Sequence, residues 1–110
     1  MTIDRKTFAA LQEMAGADFV VELVHAFLEE APVMLESLRT SLAEGDAEKF
    51  RRTAHSLKSN SNTFGAQALA AIAKDLELSG LDNVRARPDP LAALGAEYQR
   101  VAAALKELAV

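Results

Sequence analysis

DAEKFRRTAHSLKSNSNTFGA, the stretch from Asp46 to Ala66, decides how the rest of the chain is read. Phe50, Ala54, Leu57, the small Ser61 and Phe64 step by four and three, which is the spacing of one buried stripe on an amphipathic helix. The opposite face carries Arg51, Arg52, His55, Lys58, Ser59 and Asn62. Residues three and four apart are neighbours on a helix surface, so Arg51, Arg52, Lys58 and Ser59 surround the imidazole. His55 therefore points outward among cations. Asp46 is placed to cap the helix, and Gly65 to end it or begin the next segment.

Outward from this helix the same periodicity recurs. Towards the N-terminus, Asp4 caps a short helix running to about Met14, with Phe8 and Leu11 inward and Gly16 as its stop. A longer helix follows from about Ala17 to Leu42, with Val20, Val24, Phe27, Ala31, Leu35, Leu38 and Leu42 in one stripe. Pro32 falls inside it, where a missing N–H predicts a kink or a split near Glu30 and Ala31 that re-aims the first half towards His55. Glu44, Gly45 and Asp46 form a short turn of the kind that joins antiparallel neighbours.

Beyond Gly65, Leu69, Ile72, Ala73 and Leu76 mark a helix to about Ser79, with Gly80 as its C-cap. Leu81 to Pro88 is polar and partly basic and is expected to be mobile. Asp89 and Pro90 predict an N-cap and first-turn proline. Leu91, Leu94, Tyr98, Val101, Leu105 and Leu108 then step by three and four, with Ala92, Ala96, Ala102 and Ala103 small enough for close helix approach. The expected fold is all-α: an up-down-up-down antiparallel four-helix bundle with a short additional N-terminal helix as a lid, one domain over residues 1–110.

Composition agrees with such a bundle. Half of the 110 residues are apolar, and glycine, proline and aromatic residues are scarce. With no cysteine, there is no disulfide, thiolate metal site or cysteine nucleophile. The first residues do not read as a signal peptide and no run approaches membrane-spanning length, so the expected location is cytoplasmic. A net charge of −4 argues against general nucleic-acid binding. Its distribution is uneven: Lys49, Arg51, Arg52, Lys58 and Lys74 lie in a span from 49 to 74 that holds no acidic residue. Alone, this reads as a solvated helix face; beside His55 it reads as a surface for an acidic partner or a phosphoryl group.

His55, Ser56, Leu57 and Lys58, followed by small residues and then Phe64, Gly65 and Ala66, resemble the signature of histidine-containing phosphotransfer (HPt) domains, which relay phosphoryl groups in two-component signalling. The motif covers about a dozen residues, and the helix order resembles the family over nearly the whole chain. The family usually has glycine directly after the lysine; Ser59 keeps the small size but not the glycine. The resemblance implies His55 as phosphoacceptor and Lys58, one turn away, as the cation that stabilises the phosphoryl group. Arg51 and Arg52 would meet the partner, and Ser59 would leave room for it. Asn62 would offer a weak hydrogen bond.

Glu77 falls where many family members carry a polar residue that bonds the ring. A carboxylate there could orient the imidazole but would repel the phosphorylated product; read by itself, Glu77 is a solvated helix residue. The implied partners are response-regulator receiver domains, which would supply the aspartyl phosphate and Mg²⁺, and a hybrid histidine kinase. No cofactor is expected in this chain, which reads as a monomer.

The chemistry is compatible with these residues. An imidazole titrates near ~6.5, so much of it is neutral at cytoplasmic pH and a ring nitrogen is nucleophilic. Phosphoryl transfer depends mainly on positioning and charge stabilisation, so a small basic site suffices when the partner supplies the rest. No glycine-rich phosphate loop and no kinase signature is present, so the chain is expected to carry phosphate without binding ATP. His25 lacks a comparable pattern, and two histidines so far apart make a poor zinc site. The sequence is also compatible with two other readings: a phospho-accepting domain of a chemotaxis-type histidine kinase, and a helical binding scaffold in which His55 does no chemistry.

Overall fold

In the computed structural model of the chain, which describes residues 2–109, both expected aspartate caps form; Met1 and Val110, the ends of the expected 1–110 unit, lie outside the described residues. Asp4 caps α1 (Arg5–Ala15) by accepting from the Lys6 amide, and its other carboxylate oxygen accepts from the Thr7 hydroxyl at 2.7 Å. Gly16 ends this helix with φ 92°, and α2 (Ala17–Glu44) starts directly after it. Gly45 closes α2 in the left-handed region, and Asp46 opens α3 (Ala47–Thr63) by accepting from the Lys49 amide at 3.1 Å. The remaining helices are α4 (Gln67–Ser79), α5 (Leu81–Arg85) and α6 (Ala92–Leu108).

The described residues form an all-helical bundle in which α2, α3, α4 and α6 surround one core. Along α3, Phe50, Ala54, Leu57, Ser61 and the following Phe64 are all buried, as their spacing predicts. The most extensive contact is between α3 and α4, where Ala54 and Ala73, both fully buried, let the backbones approach. Phe27 of α2 stacks obliquely on Phe64 and Tyr98, with ring centroids 5.3 and 6.1 Å apart, and so joins α2 to the α3–α4 turn and to α6.

The N-terminal segment covers the end of the bundle at that turn. Ile3 and Phe8 enter the core, and the Asp4 amide donates to the Gly65 carbonyl at 2.9 Å. Gly65 has φ 81°, and a Cβ there would stand 2.9 Å from the Asp4 carbonyl oxygen. Both the backbone conformation and the close approach require glycine.

Four expectations need correction. Pro32 does not split α2: the helix is continuous from Ala17 to Glu44. The backbone keeps helical hydrogen bonding on both sides of the proline, so the chain passes Pro32 without leaving the helix. Pro32 is exposed, so the Leu28 carbonyl that loses its partner lies on the same, solvent-facing side of the helix. Secondly, Leu81 to Pro88 begins as a helical turn, because Leu81 and Val84 are both buried and dock α5 on the bundle. Arg87 then pairs with Asp75 at 2.7 Å and donates to the Ser79 hydroxyl at 2.8 Å, pinning the segment.

Thirdly, Asp89 is not an N-cap: it has φ 44°, a left-handed conformation that Asp tolerates, and its carbonyl accepts from the Ala92 amide at 3.2 Å. Pro90 is the second residue of that turn, a position its fixed φ suits, and α6 starts at Ala92. Finally, of the alanines expected to allow close approach only Ala102 is buried; Ala92, Ala96 and Ala103 face solvent.

Candidate functional site

Because Ala54 and Leu57 fix the inner face of α3, His55 between them is turned outward, and its side chain is 54% exposed. It does not stand among cations alone. From α4, Glu77 reaches across with its side chain only 11% exposed, and Oε2 lies 2.8 Å from His55 Nδ1. Lys58, one turn along α3 from His55, places Nζ 3.1 Å from the other oxygen, Oε1. That approach lies off the direction of a proper hydrogen bond, so the contact is chiefly Coulombic.

The carboxylate thus stands between the ring and the ammonium. The Lys58 ammonium, and after it the His55 ring, hold the Glu77 carboxyl below the usual carboxylate range against the opposing effect of burial. An ionised carboxylate only accepts hydrogen bonds, so Nδ1 carries the ring proton and the Nε2 lone pair is left free. This tautomer is assigned from the hydrogen bond. In the neutral form of the ring, the arrangement offers a nitrogen nucleophile whose orientation is fixed from behind, on a side chain 54% exposed to solvent.

The other residues expected at the site are placed around this trio without bonding to the ring. Arg51 binds Glu48 at 2.7 Å, and Arg52 lies 3.7 Å from the same carboxylate, so both cations are held one turn N-terminal of His55. Glu77 also acts on Arg51 through space. Ser59 and Asn62 are exposed. Asn62 contributes to the end of α3 through its backbone carbonyl, which accepts from the Gly65 amide at 3.0 Å. His25 is exposed on α2. Among the described residues no group of three or more His, Asp or Glu side chains is arranged to hold a metal ion.

Glu77 is therefore not the solvated residue that its isolated reading gives. The signal available in the sequence was its register, since it follows Leu76 and lies four residues after Ala73, at the edge of the buried stripe of α4. Nothing local says that α4 lies beside α3 with that edge against His55.

Comparison with known proteins agrees with this geometry. The family model described as "Hpt domain" matches residues 22–104. Among solved structures, the crystal structure of histidine-containing phosphotransfer protein B (HptB) from Pseudomonas aeruginosa PAO1 is similar to this chain with a TM-score of 0.88 and 31% sequence identity. That similarity covers 98% of this chain and 94% of the other. A search of curated proteins found no match.

Proposed function

The chain belongs to the Hpt domain family, and from that premise we propose the route by which it passes a phosphoryl group on. It is a histidine phosphotransfer protein, a phosphorelay carrier, and its partners are the receiver domains and kinases of two-component phosphorelays. The phosphoacceptor is His55, through Nε2. The observation that carries this assignment is the half-exposed ring whose Nδ1 is tied to Glu77 at 2.8 Å.

In loading, the Nε2 lone pair forms the new N–P bond while the O–P bond of the receiver's aspartyl phosphate breaks and its electron pair stays on the aspartate. Lys58 stabilises the group as it arrives: a phosphoryl group brings nearly two negative charges, and an ammonium one turn away is within reach of it. Glu77 orients the ring. Arg51 and Arg52 form the basic shoulder that meets the acidic mouth of the receiver, and the small Ser59 leaves that mouth space to close over His55. Asn62 offers a hydrogen bond at the far edge. Mg²⁺ comes with the receiver, and this chain works as a cytoplasmic monomer. Among the described residues no helix is long and apolar enough to cross a membrane.

The test is direct. Wild type and His55→Gln are incubated with a radiolabelled phospho-receiver. Acid-labile label on the wild type alone is the expected result, and equal label on both proteins removes His55 as the site.

A further inference from the structure

We propose that Glu77 is a proton-holding residue: its carboxylate, 2.8 Å from Nδ1, keeps that nitrogen protonated while Nε2 carries the phosphoryl group, so that the imidazole remains a good leaving group at and above neutral pH. The inference rests on His55 being the phosphoacceptor. It concerns what happens after loading, which the orientation of the free ring does not address.

Once the N–P bond has formed on a ring that already bears Nδ1–H, the imidazole is cationic. In unloading, the P–N bond breaks, its electron pair returns to Nε2, and the acceptor carboxylate forms the new O–P bond. The ring departs as neutral imidazole with its Nδ1 proton in place, and no proton has moved. Had Nδ1 lost its proton in the loaded state, the leaving group would be the imidazolate anion, which is far more basic and leaves far more slowly. The rate of handing on therefore follows the fraction of loaded protein that keeps the Nδ1 proton.

The charges around the ring determine that fraction. From α3 the cations Lys58, Arg51 and Arg52 oppose a charged ring, and the last two are already paired with Glu48. From α4 Glu77 favours it, in direct contact and with little exposure to water. Beside Ser56, on the other flank of α3, α2 presents Val33, Met34 and Ser37, none of them charged. The charged groups of α5 and of the N-terminal segment meet the α3 region at its two ends, Arg85 beside Gly45 and Asp4 beside Gly65. Glu77 is thus the anion on the ring. The arriving phosphoryl group also draws on Lys58, the cation that faces Glu77, which leaves the carboxylate freer to hold the ring proton.

The experiment loads the full chain with phosphoramidate as small-molecule donor. The phosphohistidine is followed by ³¹P NMR from pH 5 to 10, and its transfer to a receiver is measured over the same range. Glu77→Gln retains an acceptor for Nδ1–H without the charge, and should lower the midpoint of the loaded ring by about one pH unit. Between the two midpoints, transfer should slow by up to about tenfold. Lys58→Ala should move the midpoint in the opposite direction, which a purely structural disturbance would not do. Loaded protein whose midpoint is the same in wild type and Glu77→Gln overturns the proposal while leaving His55 as phosphoacceptor. A phosphohistidine that forms equally on His55→Gln overturns both.

Discussion

Around His55, one carboxylate oxygen faces a ring nitrogen and the other faces an ammonium, so any change to one of the three side chains alters the charge felt by the other two. Lys58→Ala removes the cation that balances Glu77. Its effect on stability should stay within about 1 kcal/mol, since Lys58 is outside the apolar core and Glu77 keeps the His55 ring as a partner. Its effect on chemistry should be larger. A phosphoryl group arriving beside Glu77 without Lys58 meets an uncompensated anion, and loading from a phospho-receiver should slow by about tenfold. Rapid-quench measurement of loading checks this, and an unchanged rate would mean that Lys58 does not contact the group. Ser59→Trp separates docking from folding in the same way. Ser59 is exposed, and serine and tryptophan have similar helix propensities, so unfolding should move by no more than about 0.5 kcal/mol. A large indole beside the acceptor should nevertheless block the receiver; full transfer by this variant would place the docking face elsewhere.

For whole elements, α2 presents the clearest case of a local rule overridden. Proline in a helix interior costs about 3 kcal/mol relative to alanine, yet α2 runs unbroken through Pro32. The side chain is exposed, so Pro32→Ala should restore a backbone hydrogen bond without opening a cavity. Allowing for the greater freedom alanine gives the unfolded chain, the variant should be more stable by about 2 kcal/mol. Urea denaturation measures the difference, and a loss of stability would show that the proline is needed where it stands. The same contrast separates what was legible in the sequence from what was not. Asp4 and Asp46 cap helices that begin one residue later, and Phe50, Ala54 and Leu57 are buried as their spacing requires, because caps and stripes are properties of neighbouring residues. The survival of α2 through Pro32, the docking of Leu81 and Val84, and the contact of Glu77 with His55 depend on packing partners far away in sequence. Thus the proposed phosphoacceptor could be picked out from its motif, whereas the carboxylate in contact with its ring becomes apparent only with α4 packed against α3.

Over the whole molecule, the same contacts define a pH range for the fold. Glu77, Glu36, Glu48 and Asp75 are all held below their ordinary values, each mainly by a cationic partner: Lys58, Arg39, Arg51 and Arg87 respectively. A carboxyl whose folded value is depressed stabilises the fold fully above its unfolded value, and that contribution is lost as pH falls through the folded one. These pairs therefore support the fold above about pH 4.5 and weaken below it. Tyr98 sets a limit on the other side. Its burial against Phe27 raises the phenol above its ordinary 10.0, so its contribution is complete below pH 10 and disappears as pH rises through the folded value. Urea midpoints measured from pH 3 to 12 should give a plateau bounded by these two limbs. Tyr98→Phe keeps the ring that packs on Phe27 and removes the group that ionises, so it should flatten the alkaline limb while leaving the acid limb in place. An alkaline limb of equal depth in Tyr98→Phe would assign that loss to the lysines instead, and would mean that the phenol can ionise without leaving the core.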